Sequence, residues 1–374
     1  MRKKRGTAMP RITCGFIGLG LIGGSIARAL KKNIPDIKII AYDTSGEALA
    51  LAKNAQIADV TAKAIDHSFS DCDYIFLCAP VQRNDGNLTA VGRVMKPECL
   101  LTDVGSVKAG IHEAVQTANL EERFIGGHPM AGSERIGFAN SKASLLENAY
   151  YILTPTPHVP AQKVEDCRQL VAKTGAIPLI LDYRRHDYVT GAISHLPHVI
   201  AAALVNLIQG HDSEDGIMKM VAAGGFKDIT RIASSSALMW QQICLSNTAN
   251  ISALLSDYIE ALKTFQRQLD AKEGPALYNQ FEKARLYRDS FIGASSGPIK
   301  RSHSISVDID DKSGALARIA ALLAEHGLSI KNIGITHNRE SDDGVLKVEF
   351  YDEASMQKAR DILAQSGYHA DIRI

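Results

Sequence analysis

A histidine and an arginine in two separate stretches of the chain have the chemistry needed to remove a proton and to hold an anion. His128 lies in the run Gly126–Met130, which directly follows a short apolar run. A neutral imidazole titrates near the working pH, so His128 is the candidate general base. Arg231 ends the run Phe226–Arg231, and its planar guanidinium can bind a carboxylate through two parallel hydrogen bonds. These side chains predict a site at which a bound anion loses a proton.

Three glycines near the start of the chain have the spacing of a dinucleotide-binding loop. Gly18, Gly20 and Gly23 form a GxGxxG motif between the apolar run Ile12–Ile17 and a helix-forming segment. The first glycine permits a tight turn, the second lets the backbone approach a pyrophosphate, and the third lets the helix pack closely on the strand. Asp43 ends the next apolar run, where a carboxylate binds ribose hydroxyls and repels a 2′-phosphate. The motif predicts NAD as the cofactor, in preference to NADP.

Three histidines lie close together further along the chain, at positions 186, 195 and 198. His195 and His198 are on one side of a helix that Pro197 must bend or begin. No metal site is predicted, because no carboxylate or cysteine cluster accompanies this pair. We rank His198 first as a pocket residue, and the sequence leaves His186 and His195 open between a role in the site and a role in packing.

Four stretches, in this order and at this spacing, resemble the prephenate dehydrogenase family over residues 12–292. The stretches are Asp103–Lys108, Gly127–Glu134, Ser194–His198 and Phe226–Arg231. The resemblance implies oxidative decarboxylation of prephenate to 4-hydroxyphenylpyruvate with reduction of NAD⁺. It also leaves two alternatives, which are an arogenate dehydrogenase and, in another class, a non-catalytic amino-acid-sensing protein that keeps the fold.

The resemblance implies roles for individual residues. His128 would take the proton of the substrate 4-hydroxyl, and Ser106 would share the hydrogen bond to that hydroxyl. Arg231 would bind a substrate carboxylate, assisted by Lys227 one helical turn earlier. Other interpretations remain open, since Ser106 could cap a helix and Lys227 could belong to a solvated helix face.

Two further residues have no role that the sequence alone decides. Glu134 ends the stretch that contains His128 and is a candidate for the substrate pocket. Trp240 is a candidate for the pocket wall. Each could equally be structural.

The elements that must position these residues fall into two regions before residue 292. After a basic tail, residues 1–10, residues 11–182 alternate apolar runs with helical stretches, which predicts a parallel or mixed sheet in an α/β, Rossmann-type dinucleotide-binding domain. The runs are Ile12–Ile17, Ile37–Ala41, Tyr74–Ala79, Leu100–Val104, Phe124–Gly126, Tyr150–Leu153 and Ile177–Leu181. Residues 183–292 predict an all-helical substrate and dimerisation domain, with helices over Ile193–Gln209, Phe226–Ala249 and Ile251–Leu269. Its excess of apolar positions favours a homodimer.

A linker at residues 293–302 precedes a small C-terminal domain, residues 303–374. Its pattern predicts the β-α-β-β-α-β order of a ferredoxin-like domain. The sequence around Gly314 and Asn332 resembles an ACT domain, which implies an amino-acid effector at those two residues. Tyrosine is the expected effector, as the product of the pathway. The alternative is a domain used only for assembly.

The composition excludes several other classes of protein. The net charge is +1, from 42 basic and 41 acidic residues, so no basic field would attract nucleic acid or a membrane surface. The six cysteines are scattered and indicate a reducing compartment. Because no apolar signal core follows the basic tail and no run approaches the roughly 20 apolar residues of a membrane span, we expect a soluble cytoplasmic protein.

Overall fold

The computed structural model of this chain describes residues 12–133, 135–291, 303–309, 314–337 and 344–372. The predicted basic tail and linker lie outside these ranges. The chain divides into two compact units, Met1–Phe281 and Glu282–Ile374.

A mixed sheet forms the frame of the first unit. Among the described residues its strands are β1 Thr13–Ile17, β2 Lys38–Tyr42, β3 Val60–Thr61, β4 Tyr74–Leu77, β5 Leu100–Asp103, β6 Phe124–Pro129, β7 Tyr150–Pro155 and β8 Ile177–Ile180. They lie in the order β3-β2-β1-β4-β5-β6-β7-β8. Every predicted apolar run became a strand, and the sheet is mixed because β7 pairs antiparallel with β6. The sequence analysis missed β3, which is only two residues long.

Helices cover both faces of this sheet. They are α1 Leu21–Asn33, α2 Gly46–Asn54, α3 Val81–Val94, α4 Ala109–Thr117 and α5 Ala161–Ala172. Successive residues of a strand point to opposite faces, so Phe16 and Ile17 of β1 belong to two different clusters of buried apolar side chains. The packing of these two cores fixes the positions of the carboxyl ends of the strands. The polar stretches of the sequence lie at those ends.

The rest of the first unit is helical. Its helices are α6 Tyr183–Thr190, α7 Leu196–His211, α8 Ile217–Val221, α9 Gly224–Thr230, α10 Ala237–Ser246 and α11 Thr248–Asp270, and α12 Gly274–Ser290 begins in this unit. The prediction of one helix over Phe226–Ala249 was wrong. A 3-10 turn over Arg231–Ser234 follows α9, and Ser236 then caps α10 by accepting the Met239 N–H. The serines at this point favour caps over a helix interior, because their side chains compete for the backbone.

One helical stretch corrects the expectation that no segment approaches a membrane span. Residues Tyr183–His211 are helical throughout, because a π-helical turn over Gly191–His195 joins α6 to α7. Pro197 lies in the first turn of α7, where a missing N–H costs little. By length and composition alone this stretch of 29 residues could cross a membrane. It carries three buried polar side chains, His186, Asp187 and His195, that bond to other residues of the same unit.

The second unit has its own sheet and core. Its strands are β9 His303–Ile309, β10 Ile330–His337, β11 Gly344–Phe350 and β12 Ala370–Ile372, and its helices are α13 Ala315–Glu325 and α14 Glu353–Gln365. The described strands lie in the order β10-β11-β9-β12 and each neighbouring pair is antiparallel. The chain order is therefore the predicted β-α-β-β-α-β.

Candidate active site

A cavity of about 920 Å³ in the first unit is lined by His128, Ser106 and several other predicted site residues. One part of its wall is the glycine loop with Asp43, and another part is the end of β6 with His128. Helical residues complete the wall. The lining residues include Gly18, Gly20, Asp43, Ser106, His128, Arg135, His195, His198 and Trp240.

The glycine loop has the shape that a bound dinucleotide requires. Gly18 has a φ of +101°, and a Cβ there would lie 2.8 Å from the backbone nitrogen of Ala79. A Cβ on Gly23 would lie 2.6 Å from the carbonyl oxygen of Gly18. A Cβ on Gly20 would have nothing within 4 Å, because this residue borders the cavity. Gly18 and Gly23 therefore shape the turn, and Gly20 leaves room for a ligand at the amino end of α1.

Asp43 closes the other side of the same loop. Its Oδ2 accepts the Leu19 N–H at 2.6 Å and its Oδ1 accepts the Ser45 N–H at 2.7 Å. These bonds fix the carboxylate beside the cavity, where it places a negative charge near Gly20.

His128 is the first member of a buried hydrogen-bonded chain. Its Nδ1 lies 2.8 Å from Nε2 of His186, whose Nδ1 lies 2.7 Å from Oδ1 of Asp187. Asp187 also accepts the backbone N–H groups of Lys108 and Ala109, each at 2.8 Å, and so caps α4. An ionised carboxylate only accepts hydrogen bonds, so His186 donates from Nδ1 to Asp187, and a neutral His186 ring accepts at Nε2. His128 then donates from Nδ1 to His186, which leaves its Nε2 unprotonated.

The surroundings of His128 keep it neutral. Burial lowers its pKa well below the usual value, and the nearby His186, Lys108 and His195 lower it further. A neutral imidazole with a free Nε2 can accept a proton from a ligand in the cavity.

A buried ion pair between Asp103 and Lys108 supports the backbone near Ser106 and near His128. Lys108 is fully buried, and its Nζ contacts Oδ2 of Asp103 and donates to the carbonyl of Gly127 at 2.7 Å. Asp103 also accepts the N–H groups of Gly105, at 2.8 Å, and Gly127, at 3.1 Å. The pair thus joins the loop that carries Ser106 to the residue before His128.

Ser106 lines the cavity, and the alternative that it caps a helix is wrong. Helix α4 begins at Ala109 with Lys108 in the capping position. Asp187, which is distant in sequence, supplies the hydrogen bonds that a cap would make.

The helical wall holds two of the predicted histidines. The ring of His198 stacks on Trp240 with centroids 3.6 Å apart, and its Nδ1 lies 2.9 Å from the carbonyl of Ser194. His195 is buried, and its Nδ1 lies 3.1 Å from Nδ2 of Asn247. Burial lowers the pKa of His195 to about 4. The open question about His186 and His195 has a geometric answer: His186 contacts His128 directly, and His195 lines the cavity.

The predicted cations lie outside the cavity wall. Lys227 and Arg231 are exposed and are absent from the residues that line the cavity. They do not share one regular helix face, because α9 ends at Thr230 and Arg231 begins a 3-10 turn. Burial lowers the pKa of His198, and the positive charge of Arg231 adds to this effect. Glu134 lies outside the described residues.

Several residues of the site escaped the sequence analysis. Asp187 and Asn247 lie in no conspicuous motif, and a signal for Asp187 was available only in its position directly after His186. Asp103 and Lys108 flank Ser106 in a stretch that was recognised, but their pairing was not. Among the described residues, no group of three histidine, cysteine or acidic side chains could hold a metal ion.

The predicted effector residues belong to the second unit. Gly314 has a φ of +85° and precedes the first residue of α13. Asn332 is exposed on β10, which lies at one edge of the sheet.

Known proteins with the same sequence features and fold identify the family. Residues 26–179 match the family described as prephenate dehydrogenase, nucleotide-binding domain, and residues 182–283 match prephenate dehydrogenase, dimerization domain. The prephenate dehydrogenase of Bacillus subtilis (strain 168) is 37% identical over 346 residues, which span 91% of this chain and 93% of that protein.

Solved structures agree with the sequence match. Prephenate dehydrogenase from A. aeolicus, in complex with hydroxyphenyl propionate and NAD⁺, is 28% identical with a TM-score of 0.71, covering 77% of this chain and 100% of that chain. Synechocystis arogenate dehydrogenase is 26% identical with a TM-score of 0.69, covering 75% and 100%. This chain belongs to the prephenate dehydrogenase family.

Proposed function

We propose that this protein is an NAD-dependent prephenate dehydrogenase that acts in tyrosine biosynthesis in the cytoplasm. The observation that carries the proposal is the hydrogen-bonded chain from His128 through His186 to Asp187. His128, its first member, lines a cavity that a dinucleotide-type glycine loop also lines. The cysteines are free thiols, which fits a reducing compartment.

His128 acts as the general base in this proposal. Its Nε2 takes the proton of the substrate 4-hydroxyl as the ring carbon is oxidised. The imidazolium that forms donates from Nδ1 to His186, and the Asp187 carboxylate stabilises the positive charge along the chain. Ser106 lies on the same cavity wall and shares the hydrogen bond to the hydroxyl.

Bound NAD⁺ would accept the hydride. The fit of this cofactor rests on the space beside Gly20 and on the carboxylate of Asp43. That carboxylate binds ribose hydroxyls and disfavours a 2′-phosphate.

Arg231 holds a substrate carboxylate from the end of the cavity near His198. A guanidinium binds a carboxylate bidentately, and Arg231 is close enough to His198 to affect its charge. Lys227, Glu134 and the His198–Trp240 stack are further substrate-pocket residues in this proposal, and His195 supports the wall between them.

The helical region forms a homodimer. Large apolar side chains on its surface are more than half exposed, among them Leu207, Met220, Val221, Leu238, Leu245 and Leu269. Apolar surface of this extent favours association. The family description of residues 182–283 as a dimerization domain supports the same assignment.

The second unit is an ACT domain that binds tyrosine. Its β-α-β-β-α-β order fits this assignment. Gly314 permits a close backbone approach at the start of α13, and Asn332 adds a polar side chain on an edge strand. The effector would bind near these two residues.

Formation of NADH from purified prephenate tests the proposal. We expect turnover with prephenate and NAD⁺, and a kcat/KM at least about tenfold lower with NADP⁺ because of Asp43. The same assay with arogenate identifies the alternative dehydrogenase, since it would then be the better substrate. Absence of NADH formation with both substrates would leave only the non-catalytic sensor.

A further inference from the structure

One cationic side chain in the cavity wall, that of Arg135, has no role in the proposed reaction. Arg135 is the single lysine or arginine among the described residues that line this cavity. Its side chain is exposed, and its backbone N–H donates to Ser133 Oγ at 3.0 Å, which shapes the turn. A dinucleotide carries two negative charges on its pyrophosphate. The amino end of α1 offers only about +0.5 of partial charge against them.

The segment that carries Arg135 is fixed at both ends. It begins after Pro129, the last residue of β6, and it ends on α1. There Arg28 Nε donates to Ser141 Oγ at 2.8 Å, and the Lys142 N–H donates to Ser25 Oγ at 3.0 Å. The segment therefore runs from the strand of the candidate base to the helix that follows the glycine loop.

The position of Gly137 indicates at which end of the cavity Arg135 lies. Gly137 lines the main cavity and also a smaller one of about 270 Å³, and Gly20 and Asp43 line both as well. Arg135 precedes Gly137 by two residues, which span at most about 7 Å. The backbone of Arg135 therefore lies on the glycine-loop side of the cavity, whereas Arg231 is not among the residues that line it.

We propose that Arg135 binds the pyrophosphate of the dinucleotide. Its planar guanidinium donates two hydrogen bonds to phosphate oxygens and so completes the charge neutralisation that α1 begins. This proposal rests on the assignment of the cavity as the NAD site.

Calorimetric binding to the full-length protein tests the proposal without turnover. The probes are NADH, ADP-ribose, which keeps the pyrophosphate, and adenosine, which lacks it. We expect Arg135→Ala to weaken NADH and ADP-ribose by roughly 10- to 100-fold and to leave adenosine unchanged. Arg135→Lys should recover part of the affinity, because it keeps the charge and loses the fork. Arg168→Ala is the matched control, since Arg168 pairs with Glu165 on α5 and does not line the cavity.

The outcomes separate this proposal from the function on which it rests. Unchanged NADH and ADP-ribose affinity in Arg135→Ala, with a raised KM for prephenate, would make Arg135 a substrate anchor and overturn the proposal. An equal loss for adenosine would overturn it too, because the effect would then be a general loss of the pocket. A wild-type protein that binds neither NADH nor ADP-ribose contradicts the assignment of the cofactor instead.

Discussion

Nδ1 of His128 lies 2.8 Å from Nε2 of His186, although 58 residues separate the two histidines in the chain. His128 is the next-to-last residue of strand β6, and His186 lies on the first helix of the helical region. The orientation of the candidate base therefore depends on how the helical region packs against the sheet. A displacement of α6 would change the base without any change at the strand.

Replacement of His128 tests the base directly. We expect His128→Asn to lower kcat by about 10²-fold or more, because proton removal is lost, with little change in the KM for NAD⁺. Steady-state kinetics with prephenate gives both values. Near-normal turnover would disprove the assignment.

Replacement of Asp187 tests the hydrogen-bonded chain. Asp187→Asn puts an amide against His186 Nδ1 and removes the charge that stabilises a protonated His128. We expect kcat to fall about 10-fold or more, with the acid limb of the pH–kcat profile displaced. Asp182→Asn is the control, because Asp182 only caps α6 through the Arg184 and Arg185 N–H groups. Equal effects in the two variants would mean that Asp187 acts only through the helix ends.

The Asp103–Lys108 pair should matter for folding stability. Lys108→Met leaves the buried Asp103 carboxylate without its cation, which costs about 3–5 kcal/mol when such a pair is broken. Adding Asp103→Asn to the same chain should restore part of that loss. Urea unfolding measures both. A single variant within about 1 kcal/mol of the wild type would contradict this account.

Acid should destabilise the protein through its buried histidines. Burial lowers the pKa of both His112 and His195 from 6.5 to about 4. The unfolded chain therefore binds protons below about pH 6.5 that the folded chain does not bind until about pH 4. Stability is present in full above pH 6.5 and falls as the pH drops through this window. Melting temperatures should decline less steeply in His112→Gln, and an unchanged slope would refute the contribution of His112.

Removal of residues 297–374, which include the predicted C-terminal domain, tests regulation by tyrosine. We expect tyrosine to inhibit the full chain, and a chain that ends at Ser296 to keep its activity and lose the inhibition. The coupling should be about 1–3 kcal/mol. Inhibition of undiminished potency in the shortened chain would place the tyrosine site in the active site. Gly314→Leu in the full chain is a second test, because the positive φ of Gly314 disfavours a bulky residue.

The sequence by itself determined the features that depend on local order. Gly18, Gly20 and Gly23 act through a turn, a strand and a helix that are contiguous in the chain, so their spacing predicted the loop. The alternation of apolar runs predicted the described strands of both sheets except the two-residue β3, for the same reason. The position of His128 after its strand was likewise readable, because the carboxyl ends of such strands carry ligand sites.

Tertiary structure alone decided the partners of these residues. Asp187 accepts the Lys108 N–H across 79 residues of sequence, and no local pattern indicates that bond. Lysine is usually exposed, yet Lys108 is fully buried, and its Nζ contacts Asp103 and the carbonyl of Gly127 on β6. Arg231 was expected on a regular helix with Lys227, but three serines after it end the helical run. The partners of Asp187 and Lys108 follow from the burial of polar groups, which must find partners wherever the fold brings them.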